Sequence, residues 1–155
     1  METQTFWQGG YDESLEATSI VKIKPQYELF IGGEWQKPTE NSYFETINPA
    51  TEQKLANVAE ARKADVDKAV LAAHNCFENV WSKMKGQERG RYLFRIARMI
   101  QERARELAVA ETLNGGKPIK ESRDVDIPLA AAHFFYYAWW ADKLNYAFPG
   151  QSPKP

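Results

Sequence analysis

One cysteine in 155 residues, Cys76, leaves no partner for an intramolecular disulfide and fits a reducing compartment. Histidine is nearly as scarce. His74 and His133 with that single thiol cannot assemble the four nitrogen and sulfur ligands of a structural zinc site. No run approaches the roughly 18 apolar residues that span a bilayer. The most apolar stretch, PLAAAHFFYYAWWADKL, is broken by His133 and is aromatic rather than aliphatic, so no membrane partner is expected. Charge of either sign is not in surplus: Lys+Arg 20 against Asp+Glu 21 gives a net −1, and no nucleic-acid partner is expected either. The opening residues METQTFWQGGYDESLEATS lack the basic start and apolar core of an export signal, which makes the cytoplasm the expected location. Internal repeats and low-complexity tracts are missing too.

What is present is 43% hydrophobic and 26% charged, enough for one domain with a core or for part of a larger one. Residues 1–26 are polar with isolated aromatics and read as an arm that orders only on a partner surface. From Tyr27, YELFIGGEWQKP sets two β-prone runs about Gly32-Gly33, the signal of a type I′ hairpin, and Pro38 stops the second run. YFETIN and KLANVAEA make a second pair across the turn Asn48-Pro49-Ala50-Thr51. A small β-meander is expected. Three mainly antiparallel helices follow it. In the first, Val66, Ala69, Val70, Ala73, Phe77, Val80 and Trp81 recur at helical spacing behind Asp65 and Asp67. The second follows the break at Gly86, carries Tyr92, Leu93, Ile96, Ile100, Ala104, Leu107 and Ala108 on one stripe, and should form a hairpin with the first. The third runs from Pro118 to about Tyr146, and Pro128 either kinks it or restarts it with Asp126 as N-cap; the kinked helix is the preferred reading.

Several groupings invite a chemical role and are better explained otherwise. ETLNGGKPIKES places two glycines before a lysine, but Lys117 precedes Pro118, and no earlier glycine stands at the distance a phosphate loop requires. The stretch reads as a helix stop at Asn114-Gly115 followed by a proline-led restart. Arg89, Arg91, Arg95, Arg98, Arg103 and Arg105 interleave with Glu88, Glu102 and Glu106, the pattern of a solvated face with local ion pairs. His74 and Cys76, two apart on a helix, point about 200° from each other and cannot act as base and nucleophile. Cys76 therefore reads as a small core residue, and His133 as a partly buried histidine on an aromatic helix. That helix is apolar all round and should be covered on two sides, by a second copy or by further polypeptide.

Taken in order, FIGGEW, INPATEQKLANVAEA, ADVDKAVLAAHNCF, ERGRYLFRIARMIQ, ELAVAETLNGGKPIKES and DIPLAAAHFFYYAWWADKL resemble the N-terminal part of the aldehyde dehydrogenase superfamily. The resemblance implies an α/β fold in which residues 27–147 form the N-terminal segment of the cofactor domain and 148–155 begin the flap that pairs subunits. It implies NAD or NADP as cofactor and, in the whole enzyme, thiolate attack on an aldehyde, hydride transfer and thioester hydrolysis. The family's Pro-Trp-Asn segment, ribose lysine, Gly-Ser loop, general-base Glu and Gly-Gln-x-Cys nucleophile have no counterpart in the sequence. No catalytic or cofactor-binding residue is therefore assigned, and the chain alone is expected to bind neither NAD nor NADP. The resemblance also implies that the Gly-Lys-Pro turn joins two helices, and that Thr46, Ile47 and Asp126 stand where family members hold an alkali cation. The implied partners are a second copy or the remainder of the enzyme. The alternative is a stand-alone helical module that binds a full-length enzyme or another protein.

Overall fold

Two glycines set the first turn. In the computed structural model, which describes residues 17–149, Gly32 and Gly33 have φ of 64° and 91°, both positive as a type I′ turn demands. Strand β2 (Leu29–Ile31) thereby folds back on β3 (Glu34–Gln36), with Phe30 opposite Trp35 and their rings 5.0 Å apart. Strands β4 (Tyr43–Ile47) and β5 (Lys54–Ala59) pair antiparallel, with a register irregularity between Thr46 and Ile47. The short β1 (Gln26–Tyr27) lies parallel on the other edge of β5, giving the order β1-β5-β4. Strands do precede helices, but they divide between two sheets instead of running on as one meander. Pro38 is buried and has no N–H to extend a ladder, and the residues after it are drawn away to the start of the first helix.

Asp65 does the drawing. Its Oδ1 accepts the Thr39 N–H at 3.0 Å and the Thr39 hydroxyl at 2.5 Å, while Oδ2 accepts the Arg62 N–H at 3.1 Å. This is half of a capping box that also fastens the loop after β3 to helix α1 (Lys63–Asn79). The side chain is 2% exposed, and the Thr39 hydroxyl first, then the Arg62 amide, hold its carboxyl below the usual range against the cost of burial.

Helix α1 leans on the β2–β3 hairpin where Ala72 faces Gly32; Ala69 and Ala72 are half-buried, and every residue from Ala73 to Val80 is exposed. It does not form the expected hairpin with α2 (Gly86–Glu102). The partner of α2 is α5 (Ile127–Trp140), crossed antiparallel so that Gly86 lies against Ala141, Gly90 against Ala138 and Phe94 against Phe135. A Cβ at Gly90 would come within 2.8 Å of the Ala138 carbonyl oxygen, so the helices meet backbone to backbone where glycine leaves room. The buried face of α2 thus carries Gly90 and Ala97, while Tyr92 and Ile96 from the expected stripe stay exposed. Arg103, with φ −107° and ψ 18°, interrupts the expected continuous helix, and α3 (Ala104–Gly115) begins beyond it. Ala108 and Val109 bury against the next segment.

That segment is helical from Ile119 to Trp140 with one wide turn in it. After the single turn α4 (Ile119–Glu121), Ser122–Asp126 form a π turn that leads into Pro128 in the first turn of α5. A π turn lets the chain pass a proline that can neither donate nor tolerate the carbonyl four residues back. The kinked reading therefore holds, and a last turn, α6 (Leu144–Ala147), follows. The buried apolar residues among those described are small: Ala56, Ala59, Ala97, Ala108, Val109 and Ala131. Many of the large ones lie outside, with Tyr137 59% and Trp139 67% exposed, while others such as Leu93 and Phe135 are half-buried. Among the described residues the aromatic helix is covered mainly by α2, with a smaller contact to α3.

Candidate functional site

The end of β4, the end of α3 and the π turn meet at one junction. Helix α3 stops because Gly116 takes φ 69° and returns its N–H to the Thr112 carbonyl at 3.0 Å, one residue later than the Asn114-Gly115 stop expected from sequence. Gly116 faces Pro49 of the β4–β5 turn so closely that a Cβ would fall 3.0 Å from the proline ring. Asn114, just before it, accepts the Thr46 hydroxyl on Oδ1 at 2.6 Å. On the other side, Thr112 donates to Ser122, which is fully buried, at 3.2 Å.

The lysine of the Gly-Gly-Lys run is committed within this junction. Lys117 Nζ lies 2.5 Å from Asp126 Oδ2, and this hydrogen bond raises the lysine pKa above its ordinary value. Asp126 has helical φ −67° and ψ −51° and makes no side-chain cap, so the capping role is replaced by this ion pair. Of the three residues implied for a cation, Thr46 is brought to Asn114, Ile47 sits past the β4 irregularity and is 49% exposed, and Asp126 is brought to Lys117. Sequence reasoning names Asn114 as a helix stop and Lys117 as a lysine outside any phosphate loop, and pairs neither with Thr46 or Asp126. Asn114 is 68 residues from Thr46, and nothing local marks such a contact.

The arrangement suits holding two layers together rather than bond-breaking chemistry. A dinucleotide pyrophosphate needs free, converging backbone N–H groups, whereas Gly116 is filled by Pro49 and Lys117 by Asp126. The residues at this turn do not fit such a cofactor. Among the described residues no group of three His, Cys, Asp or Glu is placed to hold a metal. Cys76 is exposed rather than in the core, because α1 has no cover beyond Ala72. His133 is likewise exposed rather than partly buried, on the side of α5 away from α2.

A family model, the aldehyde dehydrogenase family, matches residues 35–153. The chain belongs to the aldehyde dehydrogenase family. Aldehyde dehydrogenase B of Escherichia coli K12 is 42% identical over 118 residues, 76% of this chain and 23% of that enzyme. The mitochondrial aldehyde dehydrogenase of Rattus norvegicus is 42% identical over 140 residues, 85% of this chain and 27% of that enzyme. Among solved structures, the NAD+ complex of aldehyde dehydrogenase from Bacillus cereus superposes with a TM-score of 0.72 at 38% identity, covering 77% of this chain and 26% of that one. The mixed α/β fold is that of the N-terminal region of these dehydrogenases. The chain spans about a quarter of the length of the curated relatives it matches. No described helix is long and apolar enough to cross a membrane.

Proposed function

We propose that this chain is the N-terminal layer of a cytoplasmic NAD(P)-dependent aldehyde dehydrogenase, an enzyme that oxidises an aldehyde to a carboxylic acid, and that alone it neither turns over an aldehyde nor binds NAD or NADP. The observation that carries this reading is the match over residues 35–153 to relatives of whose length it covers about a quarter, joined to a Gly-Gly-Lys turn already filled from within. Its partners are the remainder of such an enzyme or a second copy, covering the exposed aromatics of α5. The test is calorimetry with NAD and NADP and an NADH assay across aldehydes on the purified chain. Silence in both is expected; saturable micromolar binding or turnover above a blank overturns the reading.

The exposed Tyr137 and Trp139 also favour a second reading, a stand-alone helical module that docks on a full-length enzyme or another protein. A well-folded monomer in isolation would select it.

An alkali cation held by the main-chain oxygens of Thr46 and Ile47 with Asp126 stays part of the proposal for the whole enzyme, since carbonyl and carboxylate oxygens suit a hard cation. The Lys117 ammonium already on Asp126 competes for that place. Melting in potassium against a bulky organic cation, with Asp126→Ala alongside, decides it. Equal loss of melting temperature in both proteins removes Asp126 from the site.

A further inference from the structure

Gly115 is the one member of the Gly-Gly-Lys run that the junction leaves open. Apart from the backbone of its own helix, a Cβ there would meet only the Glu111 carboxylate, at 3.6 Å, whereas Gly116 is packed on Pro49 and Lys117 is paired with Asp126. Asn114 before it is exposed as well. An exposed Asn-Gly bond carries its own chemistry, because with no Cβ in the way the glycine nitrogen can attack the asparagine side-chain carbonyl and close a five-membered ring. The bond from Gly115 N to Asn114 Cγ forms, the Cγ–Nδ2 bond breaks, and Nδ2 leaves as ammonia with the proton that Gly115 N gives up. Water then opens the imide. Addition at Cγ leaves aspartate, and addition at the Asn114 main-chain carbonyl carbon leaves isoaspartate, whose peptide link runs through Cγ. Nothing is oxidised or reduced, and water is the sole co-reactant.

Ring closure requires the Asn114 side chain and Gly115 N to turn toward each other, and two contacts of the folded chain oppose that turn. Asn114 and Gly115 lie in the last turn of α3, which the Gly116 N–H closes on the Thr112 carbonyl at 3.0 Å. The Thr46 hydroxyl also donates to Asn114 Oδ1 at 2.6 Å, fastening the side chain to the end of β4. Two glycines weaken the same turn, since glycine is among the poorest helix formers and helix ends are the first to open. Retention of the Asn114 amide therefore depends on the β4–β5 sheet staying docked. Isoaspartate acts back on that docking. It puts an extra backbone carbon just ahead of Gly116, where even a Cβ would fall 3.0 Å from the Pro49 ring.

We propose that Asn114 is a site of spontaneous deamidation restrained by the Thr46 hydroxyl, so that release of the β4–β5 sheet from the end of α3 converts it to aspartate and isoaspartate and loosens the junction one way. The test is incubation of the full chain in mildly alkaline buffer, with and without denaturant, followed by peptide mass spectrometry of the exchange of NH2 for OH at each asparagine. Asn114 should convert ahead of Asn41, which precedes Ser42, and faster in denaturant than in buffer. In buffer, Thr46→Val should raise the rate about fivefold, the worth of one neutral hydrogen bond, while Thr46→Ser keeps the hydroxyl and should leave the rate unchanged. In denaturant the Thr46→Val chain and the unaltered chain should convert alike, and Gly115→Ala should slow conversion in both media. Equal rates in buffer and denaturant, a Thr46→Val rate in buffer no higher than that of the unaltered chain, or conversion of Asn114 no faster than that of Asn41 overturns the proposal.

Discussion

Replacing Tyr137 and Trp139 with glutamine should make a self-associating chain markedly less so, and the size of the effect follows from the surface the fold leaves uncovered. The chain exposes 12658 Å², whereas a compact monomer of 17.8 kDa exposes about 8,000 Å². Crediting the 22 residues outside the described part with the full area of an unfolded chain still leaves an excess of roughly 2,000 Å². Were half of that apolar, the missing burial would amount to roughly 25 kcal/mol before entropic costs, more than the net 5–15 kcal/mol by which domains are stable. The isolated chain should therefore associate or stay molten. Trp139 and Tyr137, 67% and 59% exposed, are the most exposed aromatics of α5 and look out on two different sides of the helix. An aromatic anchor removed from an interface costs about 1–2 kcal/mol or more, so the double substitution should shift the association midpoint by about 100-fold. Light scattering across a micromolar dilution series reads the mass, and near-UV dichroism reads side-chain order. A monodisperse monomer of the unaltered chain with sharp near-UV bands and cooperative melting refutes the reasoning.

Two glycines should answer the same substitution with opposite sign: Gly90→Ala overpacks the crossing with α5 at a cost of about 1–3 kcal/mol, against a gain in helix propensity of about 1 kcal/mol. Gly115→Ala keeps that gain, because its Cβ would meet only the Glu111 carboxylate at 3.6 Å; helix melting at 222 nm should fall for the first and hold or rise for the second, and the reverse order would discredit the backbone-to-backbone crossing. The lowered Asp65 carboxyl contributes stability that is present above the unfolded carboxylate value near ~3.9 and is lost as pH falls through its depressed folded value. Asp65→Asn should therefore flatten the acid limb of helix loss below about pH 4, and an unchanged acid limb would show that Asp65 is not the group responsible. The raised Lys117 runs the other way: its contribution is complete below the unfolded lysine value and is lost as pH rises through the higher folded one, so Lys117→Met should lose the alkaline limb of the same curve.

Much of this fold was legible because its signals are local. Gly32-Gly33 dictates a turn whatever surrounds it, and Pro128 within an apolar run demands an adjustment that the π turn supplies. The helix stop before Lys117 was equally legible, though it falls at Gly116. The pairing of elements was not legible, for a physical reason. A stripe of large apolar residues on α2 suggests Tyr92 and Ile96 as the contact face, yet α5 turns Ala138 and Ala141 toward α2, and a small face opposite them lets the backbones approach. The small side of α2, with Gly86, Gly90 and Ala97, takes the contact instead. Counting hydrophobic residues finds the face with the most to bury, while packing selects the face that fits.

The same distinction bears on the candidate site. Thr46 and Asn114 are joined across 68 residues and Lys117 and Asp126 across nine. Each contact is short, and each fastens a different layer to the end of α3. Thr46 brings in the β4–β5 sheet, and Asp126 brings in the helix that carries the aromatics. A turn whose glycine is filled by Pro49 and whose lysine is held by Asp126 is rigid at the one point where both layers converge. These contacts fix how the start of α5 sits against the sheet and the end of α3. The Gly-Gly-Lys run thus joins the β4–β5 sheet and the aromatic helix at the end of α3, with its glycine and lysine already filled from within.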